Sequence, residues 1–505
     1  MIATLELAGQ RLTLEQIDQV AAGKLEPVLS GHAEQRMLAS RALVEQVVRE
    51  GKVVYGVNTG FGKLAEVRIP SDELEQLQVN LVRSHAAGLG KPLPVEETRA
   101  LMLLRANVLA AGYSGCRPAL VETLLRMLSR GVSPKIQQKG SVGASGDLAP
   151  LAHLALAMIG EGECFCRDRW LPSAIALQEN GIAPVRLGAK EGLALLNGTQ
   201  AMGAVGALAL LRCERVTKLA DLSGVMSLEA LRGTPVAFDA RIHDARPHPG
   251  QRQSAAHLRE LIRDSEIRDS HRSGDPRVQD AYSLRCMPQV HGAARMALAH
   301  ARDVVEIETG SATDNPLVFP DSGEILSGGN FHGAPLALVL DYAAVAMTHL
   351  MSMIERRIDR LINPDLNYGL PPFLSAHPGL SSGYMIAHVS AASLLNETRV
   401  LAHPASVDNV PTSGGKEDHV SMGMTSALKL RQIVENAEQV LAVELMTAAE
   451  GLDYLQPLLS SARVEQARAM IRARVPRLTE DRSLSAEMEA LASGIRRGDF
   501  DEFMA

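Results

Sequence analysis

Across residues 421–455 apolar side chains return at every third or fourth position: Leu430, Ile433, Val434, Ala437, Val440, Leu441, Leu445, Ala448, Leu452 and Leu455. This is the period of one helix face, and it predicts a helix of up to about nine turns. Similar runs occupy 201–232, 335–362 and 384–402. Long antiparallel helices of this kind bury their stripes against one another as a bundle. The first 200 residues have a different texture, with short helices between glycine loops. Thr13 and Gln16 have capping-box spacing ahead of a helix that Gly23 ends, and Pro118 to Arg130 is bracketed by proline at its start and Gly131 after it. Ser71, Asp72 and Glu73 precede a stripe of Leu74, Leu77, Leu81 and Val82. Strand signal is confined to KVVYGV (52–57) and a hairpin in which PDSG (320–323) joins PLVF to EILS. The pattern predicts a mainly α protein with a few short strands: a loop-rich domain over 1–200 and a long-helix bundle over 201–505.

Composition narrows the function classes. At 505 residues and 46% hydrophobic the chain is long enough for a large core. A net charge of −7 with no basic block argues against nucleic acid or an acidic membrane surface as partner. The five scattered cysteines fit a reducing compartment better than a disulfide framework. The N-terminal segment lacks the basic and apolar regions of a secretory signal, so the expected location is the cytoplasm. The most membrane-like stretch, 335–354, contains Asp341 and His349 and reads as a helix buried in protein. No metal is expected. Cys164 and Cys166 have no further cysteine nearby, and no acidic or cysteine cluster completes a set with His243 and His248.

The stretch GSVGASGDLAP (140–150) carries the candidate chemistry. It lacks the lysine of a phosphate-binding loop, and Asp147 stands where a hydrolase nucleophile elbow needs glycine. GFGKLA (60–65) resembles a dinucleotide fingerprint, but Pro70 leaves its helix under two turns. Two readings of GSVGASGDLAP remain: a glycine-rich turn, or backbone that is itself a reagent. In the second, the nitrogen of Gly146 attacks the carbonyl of Ala144 and that oxygen leaves as water, while Ser145 loses its hydroxyl as a second water, leaving a five-membered ring with an exocyclic methylene. Only glycine lets that nitrogen approach so closely. Asp147 would cap the following helix, whose positive end would face the ring.

Together with YGVNTGFG (55–62), RSHAAG (83–88), NGTQ (197–200), QDAYSLRC (279–286), GGNFHG (328–333) and KEDHVSMG (416–423), this stretch resembles the signature of the histidine and aromatic amino-acid ammonia-lyases. The motifs occur in family order over nearly the whole chain. The resemblance implies a 4-methylidene-imidazole-5-one built from Ala144, Ser145 and Gly146, with no metal or nucleotide, and a homotetramer whose pockets draw on several subunits. The implied reaction removes ammonia from an α-amino acid, the electrophilic methylene bonding substrate through its amine or its ring.

The resemblance also assigns roles, each with a plainer alternative. Tyr55 would remove the β proton, a task for which a phenol needs a lowered pKa; otherwise it is a packed tyrosine. Asn197 would act as an oxyanion donor, or is a turn asparagine. In DPRVQDAYSLRCMP, Asp275 and Pro276 predict a helix start and Pro288 its end, so that Gln279, Tyr282 and Arg285 share a face. Arg285 would grip the substrate carboxylate with its planar fork, and Tyr282 would hydrogen-bond substrate or ring. The alternative is an exposed polar face. Phe331 would stack near substrate, or plug its loop onto the core. His85 and Glu417 look like the histidine-specific versions of their motifs, a carboxylate being suited to an imidazole N–H. The implied substrate is thus L-histidine and the product trans-urocanate, at the first step of histidine degradation; a tyrosine- or phenylalanine-specific lyase or an aminomutase is the alternative. Lys416 receives no role.

Overall fold

The computed structural model describes residues 3–60 and 62–504. The local signals act as expected at several helix ends. The Thr13 hydroxyl accepts the Gln16 N–H at 3.2 Å, and Gln16 Oε1 accepts the Thr13 N–H at 3.0 Å, closing the capping box of helix Leu14–Ala21. Pro118 opens helix Pro118–Ser129, where its missing N–H has no intrahelical partner to lose.

Five long helices follow: Gln200–Ala230, Met287–Thr309, Ala334–Ile362, Met385–Leu401 and Gly423–Asp453. All ten stripe residues of the last run are buried. Contact registers show that successive helices alternate in direction. Arg212 bonds Glu438 while Ser223 and Ser227 bond Glu444, so the first and last run parallel. Thr398 meets Asn436 while Tyr384 meets Glu450, so Met385–Leu401 runs against Gly423–Asp453. The apolar window of Ala334–Ile362 is long enough to cross a membrane by length and composition, and 61% of it is buried within the protein.

Strands are few and short: a parallel pair (Ala3–Leu7 with Leu25–Leu29), two small antiparallel sheets, and the hairpin Leu317–Phe319 with Glu324–Leu326. The chain forms two compact units, one of residues 1–209, 301–341 and 404–428, the other of 210–300, 342–403 and 429–505. The boundaries fall inside four of the long helices, so each unit is assembled from three stretches of chain.

Two sequence expectations are corrected. KVVYGV is a turn, not a strand. Asn58 Oδ1 accepts the Val54 N–H and its Nδ2 donates to Lys52 O, while Gly56 is left-handed (φ 74°); side-chain bonds to nearby backbone replace a ladder. DPRVQDAYSLRCMP is not one helix: a single turn covers Tyr282–Arg285 and a separate helix starts at Met287. Arg277 chelates Asp275 and donates to Leu231 O, and Asp280 accepts the Thr234 N–H, holding 275–281 out of a helix. Pro288 sits in the first turn of Met287–Thr309 instead of ending the previous helix.

The second unit buries a charged pair in its core. Arg357 and Glu444 are fully buried, with Arg357 Nε and Nη2 at 2.5 and 2.9 Å from the carboxylate, which also accepts Ser223 Oγ at 2.5 Å and Ser227 Oγ at 2.8 Å. Glu444→Leu would leave that guanidinium uncompensated. The expected loss is about 3–5 kcal/mol, read as a lower urea midpoint; an unchanged midpoint would show the pair to be dispensable.

Candidate active site

The Ala144-Ser145-Gly146 tripeptide lies against a second glycine turn, Asn197-Gly198. Gly146 and Gly198 pair as an isolated parallel bridge, and the Asp147 N–H donates to Gly198 O at 2.7 Å. Gly146 has φ 73°, and a Cβ there would run into the Gly198 carbonyl. Both facts demand glycine at 146. Asn197 Nδ2 donates to Ser145 O at 2.8 Å. The Ser145 hydroxyl donates to Glu417 Oε1 at 2.6 Å, and Glu417 Oε2 accepts the Thr412 hydroxyl at 2.6 Å. From the other side, Ser421 Oγ and the Gly333 N–H both donate to Gly143 O, at 2.9 and 3.1 Å. The tripeptide is therefore clamped on both flanks. The side chain able to lose water faces a carboxylate, and the carbonyl that would be conjugated with the resulting methylene faces an amide donor. The residues fit a ring closed from this backbone.

Above the tripeptide opens a cavity of about 910 Å³, lined by Ala144 and Ser145 together with Tyr55, His85, Asn197, Phe331 and Glu417. Burial raises the Tyr55 pKa above the ordinary phenol value; the nearby Glu417 adds to this and the Gly62 N–H opposes it. Burial lowers the His85 pKa against the opposing pull of the Leu81 carbonyl and Glu417. His85 Nδ1 lies 2.9 Å from Leu81 O, which needs a donor, so Nε2 of the neutral ring is the acceptor.

A family model for aromatic amino acid lyases matches residues 12–473. The chain belongs to the aromatic amino acid lyase family. Among its relatives, a histidine ammonia-lyase of Anaeromyxobacter sp. (strain K) is 57% identical, the match covering 98% of this chain and 99% of that protein. One of Stigmatella aurantiaca is 54% identical over 98% of this chain and 97% of its own. The fold is similar to the crystal structure of histidine ammonia-lyase from Trypanosoma cruzi (TM-score 0.92, 41% identity, 99% of this chain and 95% of that one). It is equally similar to tyrosine aminomutase from Streptomyces globisporus (TM-score 0.94, 38% identity, 99% and 98%).

Within this lyase, seven of the eleven residues singled out from sequence line the cavity, and Gly146, next in the chain to the lining Ser145, pairs with Gly198. Gln279, Tyr282 and Arg285 do not line it and belong to the second unit. Arg285 instead packs over the ring of Tyr282 at 4.6 Å, and Tyr282 is 70% exposed.

Asp147 is also corrected. It makes no side-chain bond to its own helix, Leu148–Met158. Its carboxyl accepts the Met202 N–H at 2.8 Å, in the first turn of Gln200–Ala230, and the Ser141 hydroxyl at 2.7 Å. It thus caps a helix more than fifty residues away, a pairing that no local spacing encodes. Thr412, Ser421 and Gly198 were likewise not singled out, since their roles arise only from approach across the chain.

Burial pushes the Asp147 pKa up to about 6, with Glu308 adding to the rise and the Met202, Ser141 and Ala201 donors opposing it. A carboxyl raised in this way contributes stability below the ordinary aspartate pKa and loses it as pH rises through about 6. Relative to Asp147→Asn, the native chain should lose about 3 kcal/mol between about pH 4 and pH 7, measured by urea unfolding. A pH-independent difference would refute the buried titration.

Proposed function

We propose that this lyase eliminates ammonia from L-histidine, giving trans-urocanate, at a pocket centred on Ser145. The observation that carries the reading is the pairing of Ser145 with Glu417 and Asn197 at 2.6 and 2.8 Å, on a tripeptide pressed against Gly198. A methylidene-imidazolone made from Ala144, Ser145 and Gly146 would supply the electrophilic carbon that natural side chains lack. The chain's own residues do the rest. Asn197 donates to the residue-145 carbonyl oxygen, where electron density accumulates when a nucleophile bonds the conjugated carbon. Tyr55 removes the β proton; burial raises its pKa, opposite to the lowering expected of a phenol base, so its tyrosinate is strongly basic but scarce at neutral pH.

Substrate choice follows from two acceptors. Glu417 is held by Thr412 through one oxygen, and loss of the Ser145 hydroxyl leaves the other free toward the cavity. An imidazole N–H satisfies it, and His85 presents a second acceptor on the same cavity. A phenyl ring offers no donor for either, which disfavours phenylalanine. The relatives at 57% and 54% identity are named for histidine, whereas the tyrosine aminomutase is 38% identical. Phe331 lines the same cavity and supplies an apolar ring against which a planar side chain can stack.

The substrate carboxylate falls to Arg285, with Gln279 and Tyr282 beside it, contributed by a neighbouring copy in a homotetramer. Tyr282 at 70% and Val278 at 99% exposure are large apolar surfaces unsuited to water, and Arg285 Nε is buried without a hydrogen-bond partner. The location is cytoplasmic in this reading, consistent with five free thiols.

Incubation with histidine should raise the ultraviolet absorbance of urocanate, and the intact chain should weigh two waters less than its translated mass. Ser145→Ala should abolish both signals while leaving the circular dichroism unchanged. A native chain of full translated mass would sink the proposal. Sharing of pockets has its own test: Ser145→Ala and Arg285→Ala chains, each inactive alone, should regain activity when co-expressed, because hybrid assemblies contain some intact pockets. No recovery would confine the pocket to one chain.

A further inference from the structure

Behind Asn197 lies a cation that the chemistry above does not use. Arg105 stands in helix Val95–Ala110 and is fully buried. Its Nη1 donates to Asn197 O at 2.9 Å and to Gln200 Oε1 at 2.6 Å, and its Nη2 donates to Ala194 O. Gln200 is turned toward it by a bond from its Nε2 to Thr313 Oγ1 at 2.8 Å. These contacts immobilise the end of helix Glu191–Leu196 and the peptide that follows it, from which the Asn197 amide reaches Ser145 O.

All three acceptors on Arg105 are neutral. The nearby acid, Asp314, is bonded by the fully buried Lys190 at 2.9 Å. The acids near the same turn are engaged elsewhere: Asp147 with Met202 and Ser141, Glu308 with the Thr199 hydroxyl at 2.6 Å. Arg105 Nε is buried with no partner at all. Two carbonyls and an amide oxygen do not need a guanidinium, and burying one without a bonded carboxylate is unfavourable. The positive charge has a use where negative charge develops, because a fixed cation in a water-poor site acts at reduced dielectric screening.

We propose that Arg105 is a positioning residue for the elimination: it holds the Asn197 amide on the residue-145 carbonyl oxygen and lends a permanent positive charge to the electron density that gathers there. The inference rests on the lyase reading above. Its test uses full-length chains with histidine as substrate, and kcat is normalised to the fraction of chains lighter by two waters. That normalisation separates slower reaction from incomplete maturation. A native chain that neither loses two waters nor releases urocanate would overturn the lyase reading and leave nothing for Arg105 to assist.

With the native chain active, Arg105→Met should lower kcat by about 100-fold while KM stays within about threefold, the split expected when stabilisation is felt in the transition state. Arg105→Lys, which restores charge without the fork, should recover about tenfold of that loss. Should Arg105→Met fail to fold, Gln200→Glu decides the matter, since it sets a carboxylate against Nη1 with little change of shape; its kcat should fall about tenfold. Either variant with kcat within about twofold of the native chain, or equal losses for Arg105→Met and Arg105→Lys, would overturn the proposal.

Discussion

The structure depends on one close approach, the contact of backbone 144–147 with the turn at 197–198. The two segments meet glycine to glycine, so that carbonyl and amide groups touch where a single Cβ would intrude. Close packing of this kind leaves little slack, and a displacement of about an ångström would break both the Asp147 N–H bond to Gly198 and the Asn197 bond to Ser145. Everything the site does chemically presupposes that these main-chain groups stay in register.

Burial of polar groups keeps them there. The Asp147 carboxyl ties the start of a 31-residue helix to the residue after the tripeptide, and Arg105 ties the end of the preceding short helix to the same turn. Asn197 and Gly198 are thus held between an acid on one side and a cation on the other. Each anchor is unfavourable to bury alone. Both oxygens of Asp147 and both terminal nitrogens of Arg105 are bonded to groups fixed by the surrounding chain, while Arg105 Nε is left without a partner; bonds of this kind favour one arrangement over several.

The cavity above is chemically asymmetric. Its floor donates through Asn197, and its wall accepts through Glu417 and His85. In the proposed function, a donor facing the electrophile would stabilise electrons that arrive there, while acceptors facing the substrate would select a side chain bearing N–H. Glu417 belongs to both sets, because its present partner is the hydroxyl that maturation would remove. The same carboxylate is occupied in the unmatured chain and would be free in the matured one.

Much of this was legible along the chain. Helix periodicity decided the bundle, since a stripe at every third or fourth residue has only one way to be buried, and the capping box of Thr13 and Gln16 needed nothing beyond four residues. Ala144, Ser145 and Gly146 stood out because cyclisation is a local reaction among neighbours. Tertiary structure alone decided the rest. KVVYGV has strand composition, yet the Asn58 side chain takes the backbone bonds a strand would need. Asp147 occupies a cap position for one helix and caps another. Arg105 drew no role from its sequence, because its partners lie some ninety residues away. Sequence determines what each segment prefers by itself; which distant carbonyl, acid or cation completes a site is settled by packing, because those bonds join groups that share no local spacing.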